Sequence, residues 1–240
     1  MLIEKEQEKI VKHYAKNFEV NQKDIMYIPD ESGKDFRIDL FWIRPRKRYP
    51  FHTLATIGLS EYRMKNNDNE YVELIMAMPE NWRITDDNGE HVWQVSFIRN
   101  VAHEIIKNKV SLKYGDLLLT TNADETISPL TNMYCGLIVL PEVYPTKIFK
   151  LKLSKEKVVK FYALTTLTKS EFEKAQQKNI YDFIDEDLST EDGTDIFVLE
   201  QRRPVKKIRS LPKNSEKKKA KTNNSTKKPS PQKKKVIIKK

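Results

Sequence analysis

The 240-residue sequence has a single cysteine, Cys135, and only six glycines. One cysteine forms no internal disulfide and cannot supply a zinc site built from several thiolates, and such a composition is typical of a reducing cytoplasm. No two glycines are closer than the 21 residues that separate Gly115 from Gly136. Phosphate-cradling loops need neighbouring glycines, so the G-x-G-x-x-G and P-loop classes of nucleotide-binding enzyme are excluded.

Long uncharged apolar runs are also missing. No segment is long enough to span a membrane, and the N-terminus lacks the apolar core of a signal peptide, so we expect a cytoplasmic protein without a membrane partner. Basic residues are concentrated at the C-terminal end. Residues 202–240 contain 17 of the 44 Lys and Arg residues and one of the 34 acidic residues, which leaves residues 1–201 with a net charge of −6.

Hydrophobic periodicity predicts three helices and six strands. Apolar residues recur at helical spacing over 3–18 and about 92–109. Thr168, followed three residues later by Glu171, is typical of a capping box that starts a third helix. Strand patterns occupy 36–45, 52–60, 71–79, 115–121, 135–143 and 158–167. The polar spacer between the second and third strands favours an antiparallel pair.

This order predicts the fold class and the domain organisation. Strands come in runs rather than in alternation with helices, which favours an α+β domain with a mixed, mainly antiparallel sheet flanked by helices. We expect residues 1–49 to supply an N-terminal helix and first strand, and 50–201 to form the main domain. Residues 202–240 are rich in Lys, Pro, Ser and Asn and have no aromatics, so they predict a disordered basic tail.

One carboxylate stands out in the stretch YVELIMAMP (71–79). Val72 and Leu74 belong to one apolar face of the predicted strand, and Ile75 belongs to the other. Glu73 is the only charged residue among them, so the strand carries a carboxylate although both its faces are covered. An enzyme uses such a group as an acid or base, a binding module uses it to grip a partner, and a plain scaffold pairs it with a basic side chain.

The sequence predicts no catalytic residue, no metal site and no cofactor. His103-Glu104 resembles the start of a zinc-protease motif, but Lys107 replaces the second histidine. Cys135 precedes the apolar run GLIVL, where burial raises a thiol pKa. The acidic run at 182–195 lacks the mid-loop glycine of a calcium loop. A hydrolase that uses Cys135 or Glu73 remains the alternative among enzymes.

Several motifs, in this order, resemble the Suppressor of fused domain, particularly its compact bacterial members. They are HTLATIGLS, YVELIMAMPENW, HVWQVSFI, YCGLIVLPE and VKFYALTTLTKSEFEKAQQKN, and together they span about residues 50–185. The most specific parts are the strand that contains Glu73 and the junction at Thr168. The segment TTL at 165–167 departs from the family, in which a proline is expected.

The resemblance implies a non-enzymatic module that binds a protein partner, with an immunity protein that neutralises a cognate toxin as the finer hypothesis. By analogy, the partner adds a strand to an exposed sheet edge. Glu73 is then either a structural anchor or part of a partner groove. The candidate partner-binding residues are Glu61, Tyr62, Glu73, Trp82 and Trp93.

The basic tail suggests an alternative function. Two clusters without aromatic neighbours favour weak, salt-sensitive and sequence-independent contact with phosphate backbones. Their residues are Lys217, Lys218, Lys219, Lys233, Lys234 and Lys235. On this hypothesis the protein is associated with nucleic acid, and the tail recruits it there.

Overall fold

A mixed β-sheet with helices on both faces organises the protein. The computed structural model describes residues 4–31, 36–64, 70–84, 93–120, 125–188, 197–198 and 236–239. The strands are β1 Met26–Ile28, β2 Asp39–Ile43, β3 Phe51–Ile57, β4 Glu70–Pro79, β5 Leu117–Thr120, β6 Met133–Val139, β7 Lys150–Lys152, β8 Val158–Thr168 and β9 Val236–Lys239. The helices are α1 Glu4–Phe18, α2 Trp93–Asn108, α3 Lys169–Gln177 and α4 Ile180–Phe183, the last continued by a π-helical turn, Ile184–Leu188.

The strand order is β1-β2-β3-β4-β8-β6-β5-β9, and β7 pairs with β8 beside this path. Neighbouring strands are antiparallel except β4 and β8, which run parallel with Glu73 opposite Phe161. The antiparallel pairing predicted for the second and third strand patterns is confirmed by β3 and β4. The predicted α+β class with a mixed, mainly antiparallel sheet is confirmed as well.

Each face of the sheet has its own apolar core. On one face, α1 buries Ile10, Tyr14 and Phe18 against the sheet. On the other face, α2 contributes Ile98, Val101, Ala102 and Ile105. Strand β4 serves both cores, because its side chains alternate between the faces: Val72, Leu74, Met76 and Met78 face α2, and Ile75 and Ala77 face α1.

The predicted capping box at the start of α3 is confirmed. The hydroxyl of Thr168 accepts a hydrogen bond from the Glu171 amide at 3.3 Å, and the Glu171 carboxylate accepts one from the Thr168 amide at 2.7 Å. Two amides that the helix cannot satisfy itself are thereby bonded. This fixes where β8 ends and α3 begins, and α3 then buries Phe172 and Ala175.

The short strands were not predicted. Strands β1 and β7 have three residues each, too few for a repeating pattern. Most of the segment 202–240, predicted to be disordered, lies outside the described residues. Its residues Val236–Lys239 form β9 on the edge of β5, and they include the only apolar run of the tail. No helix in the described part of the chain is long and apolar enough to cross a membrane.

Candidate functional site

Glu73 lies at the centre of a closed hydrogen-bond network on the α1 face. Its side chain is fully buried. Oε1 accepts hydrogen bonds from the amides of Gly58 and Ser60, at 3.2 and 3.0 Å, and from the Ser60 hydroxyl at 2.6 Å. Oε2 accepts one from the Thr56 hydroxyl at 2.5 Å. The carboxylate therefore fastens the chain after β3 to strand β4.

Gly58 makes this turn possible. Its φ angle is +114°, and a Cβ at this position would come within 2.6 Å of the Arg37 backbone oxygen. Only glycine adopts this conformation at little cost. The chain then forms one 3-10 turn, Leu59–Glu61, in which the Ser60 amide points back towards Glu73. We call residues 58–62 the Glu73 turn.

Burial controls the electrostatics of this network. Removal from water raises the pKa of Glu73 to about 7, although the hydrogen bonds from Ser60, Thr56 and Gly58 act in the opposite direction. Beside it, the Tyr14 hydroxyl donates to the Thr56 carbonyl at 2.9 Å. Burial, followed by the nearby Glu73 charge, raises the pKa of Tyr14 well above its ordinary value. The carboxyl thus changes charge near neutrality without access to solvent.

The predicted site residues do not form one surface. Glu61 and Tyr62 end the Glu73 turn and are half-buried, and the Tyr62 ring packs edge-on against Phe36 with centroids 4.9 Å apart. Glu73 supports this turn from inside. The other two residues are buried on the α2 face, where Trp82 contacts Trp42 and His52, and Trp93 contacts Phe97.

Trp82 also lies at the other end of the β3–β4 pair from the Glu73 turn. It follows Pro79, which pairs with the first residue of β3, whereas Gly58 follows the last residue of β3. The geometry of Glu73 agrees with the structural-anchor interpretation. A partner-binding role for any of the five residues stays a prediction.

The residues considered for catalysis lie apart. Cys135 is buried in β6. His103 bonds through Nε2 to the Asp30 carboxylate at 3.2 Å. Among the described residues, no group of three or more His, Cys, Asp and Glu is placed to hold a metal ion. The two lysine clusters of the tail lie outside the part of the chain that the structure describes.

Sequence reasoning missed a second feature, a cavity of about 730 Å³ at the β1 edge of the sheet. It lies between the end of α1, the segment that follows it, β1 and the end of β2. We call it the basic cleft after four of its lining residues, Lys16, Lys23, Arg44 and Arg46. The run RPRKR at 44–48, with four basic residues in five, was the available signal.

Comparison with known proteins assigns the family. The family model described as Suppressor of fused protein (SUFU) matches residues 34–202, which is more than half of the chain. The chain therefore belongs to the Suppressor of fused family, as its motifs predicted. The match begins before residue 50, so it includes β2, which the sequence comparison had left outside. No curated protein matches the sequence.

Solved structures share this fold at low sequence identity. The chain is similar to one in the Sufu–Fu complex crystal structure, with a TM-score of 0.60, 12% identity, and coverage of 82% of this chain and 91% of that one. A putative SUFU homolog from Neisseria gonorrhoeae FA 1090 matches with a TM-score of 0.54 and 15% identity, and the match covers 78% of this chain and 92% of that one. Drosophila Suppressor of Fused matches with a TM-score of 0.58 and 12% identity. The match covers 81% of this chain and 50% of that one, so the chain spans about half of that protein.

Proposed function

We propose that this chain is a non-enzymatic binding protein that receives an extended segment of a partner protein on the edge of β5. One observation carries the proposal. Strand β9 pairs antiparallel with β5 in a regular register, with Leu117 opposite Lys239 and Thr120 opposite Val236. Main-chain groups on this edge thus accept a strand that lies far away in the sequence, which is the geometry of β-augmentation.

Family membership supports a protein as the partner. One structure with this fold is a complex between Sufu and Fu, and in the proposal the present chain likewise binds a protein. The finer proposal is that the partner is a toxin and that the chain neutralises it by stoichiometric binding. A binding protein of this kind needs a preformed surface rather than catalytic groups.

The Glu73 turn provides a second contact in this proposal. Glu61 and Tyr62 touch the partner directly, because both are half-exposed on a turn that is held rigidly from inside. Glu73 acts as a positioning residue through the Ser60 amide and hydroxyl. Trp82 and Trp93 are buried, so they contribute through the shape of the α2 face.

Affinity capture with three versions of the protein tests the proposal. The versions are the full chain, a chain that ends at residue 235 and so lacks only β9 and Lys240, and a chain that ends at residue 201. We expect one partner protein to remain on all three through a high-salt wash, because strand pairing is not screened by salt. Both truncated versions should capture more than the full chain, since their β5 edge is not covered by β9.

Other outcomes contradict the proposal. Loss of every partner from the version that ends at 201, or on adding salt, means that the basic tail carries the association, as the nucleic-acid hypothesis requires. Equal capture by the full chain and the version that ends at 235 argues against β5 as the receiving edge. For the finer proposal, a captured toxin should lose activity in proportion to added protein and reach zero near a one-to-one ratio.

A further inference from the structure

The basic cleft has an uncompensated positive charge. Lys16, Lys23 and Arg44 line it, are exposed, and have no described carboxylate within ion-pair distance. Of the two acidic lining residues, Glu19 is paired with Arg48, and Asp24 accepts a hydrogen bond from Asn21 at 3.2 Å. The cleft is therefore positive on a body, residues 1–201, that carries a net charge of −6.

Arg46 gives the cleft a fixed wall. One amino group of its guanidinium, Nη2, donates to the carbonyl of Phe18 at the end of α1, and the guanidinium stacks over the Tyr49 ring, 5.2 Å from the centroid. The other amino group, Nη1, has no hydrogen-bond partner in the described structure. Partial burial lowers the pKa of Arg46, yet the group keeps its charge because an arginine pKa starts far above neutrality.

The cleft also borders an exposed apolar strand. Among the described residues, three large hydrophobic side chains are exposed, and two of them are neighbours in β1: Met26 at 39% and Tyr27 at 50%. Met26 lines the cleft. Strand β1 ends the described sheet order and pairs only with β2 there, so its other edge is open. Open edges of this kind accept further strands.

We propose that the basic cleft and the β1 edge together bind an extended acidic segment of a partner protein, one that alternates carboxylates with apolar side chains. The carboxylates bind Lys16, Lys23 and Arg44, and the apolar side chains pack on Met26, which lines the cleft, whereas Tyr27 faces the other side of the sheet. Charge complementarity selects this occupant, because three exposed cations without a described ion-pair partner line one cleft of a body whose net charge is negative. A volume of about 730 Å³ accommodates several side chains. This site lies on the opposite edge from β9, so it goes beyond the proposed function.

Photo-cross-linking on the full chain tests the site. The probe is a short peptide of alternating Glu and Val in which one Val is replaced by benzoylphenylalanine, and adducts are mapped by mass spectrometry. The basic tail also attracts this peptide, and its adducts serve as the internal standard. We expect adducts at Met26, and none there with a matched peptide of alternating Lys and Val.

Charge reversal then distinguishes binding of the peptide in the cleft from non-specific electrostatic attraction to the protein. The triple variant Lys16→Glu, Lys23→Glu and Arg44→Glu should lower the Met26 adduct about tenfold and leave the tail adducts unchanged. A control triple variant reverses the exposed residues Lys107, Lys147 and Lys155, and should change the Met26 adduct by less than about twofold. All six residues are exposed, and a thermal melt of each variant confirms that it is folded.

Four results would overturn the proposal. The first is adducts on the tail alone, and the second is equal loss of the Met26 adduct in both triple variants. The third is full displacement of the Met26 adduct by a single-stranded oligonucleotide but not by unlabelled peptide. The fourth is a dimer of the full chain that the cleft variant abolishes. The last would make a second copy the occupant. None of these results depends on β5, so the cleft can fail while strand addition at β5 stands, and the reverse also holds.

Discussion

Glu73 and Arg46 are both charged groups that the fold takes out of water, and the structure treats them in opposite ways. The carboxylate of Glu73 is fully buried and accepts four hydrogen bonds, from two amides and two hydroxyls. The guanidinium of Arg46 is half-buried beside a cavity and leaves Nη1 without a partner among the described residues.

The difference separates a fully bonded structural group from a charged group that the fold leaves incompletely bonded. A buried polar group whose bonds are complete stabilises one conformation and offers nothing to a partner. Nη1 of Arg46 is itself buried, so an arriving partner does not reach it. The exposed cations beside it, Lys16, Lys23 and Arg44, are the groups that an anionic partner can bond. Chemical type and charge are therefore weaker guides to function here than the number of bonds that each group already has.

Removing Glu73 tests the structural half of this contrast most severely. Glu73→Ala leaves the Gly58 amide, the Ser60 amide and hydroxyl and the Thr56 hydroxyl without their acceptor. We expect a loss of about 4 kcal/mol in the free energy of unfolding, because several buried donors become unsatisfied at once. Urea denaturation measures it. Glu173→Ala, at an exposed position of α3, is the matched control and should cost under about 0.5 kcal/mol. Similar midpoints for both variants would refute the anchor role.

The pH dependence of stability sharpens the same contrast. The pKa of Glu73 is about 7 in the folded protein against an ordinary value of 4.5, so folding favours its protonated form. Its contribution to stability is complete below the unfolded pKa and is lost as the pH rises through the folded pKa. We expect a loss of about 3 kcal/mol between about pH 4 and pH 8 from this group.

Comparison with Glu73→Gln isolates this contribution. The amide oxygen still accepts bonds from the Glu73 turn, and the side chain does not titrate. Burial lowers the pKa values of His13 and His52, which makes stability rise with pH, but these groups are present in both proteins and cancel in the difference. Denaturation curves across this pH range should diverge towards high pH, with the Gln variant the more stable. Parallel curves would contradict the raised pKa.

Arg46→Met should lower stability far less than Glu73→Ala does. Methionine keeps the apolar stem, and the change removes one bond to the Phe18 carbonyl and the stacking on Tyr49. We expect a cost of about 1 kcal/mol, far below that of Glu73→Ala, because Nη1 has no bond to lose. Thr168→Ala, which removes the confirmed capping box, provides a reference of about 1 kcal/mol. A cost for Arg46→Met as large as that for Glu73→Ala would remove the contrast.

Local features of the fold could be predicted from the sequence. The apolar alternation around Glu73 predicted that both faces of β4 are covered. The spacing of Thr168 and Glu171 predicted the residue at which α3 begins. These signals lie within one turn or one strand, where side-chain spacing decides the structure. The parallel pairing of β4 with β8 has no such signal, because its partners Glu73 and Phe161 lie far apart in the chain.

The sites were harder to predict for the same reason. The bonds of Glu73 come from a turn that depends on Gly58, and a sequence pattern does not show which carboxylate that turn will meet. The basic cleft joins the end of α1 to the end of β2, so Lys16 and Arg44 become neighbours only after the sheet has formed. Strand β9 was hidden within a segment whose overall composition predicted disorder.

Because Cys135 is buried, the rate at which its thiol reacts reports how often the sheet opens. It is the only cysteine in the sequence, and it lies in β6, which is bonded to β5 on one side and β8 on the other. A thiol reagent can react with it only in molecules that have transiently opened this region. The labelling rate of the unmodified protein therefore reports how often these strands separate, and a ligand that binds to β5 will slow that rate.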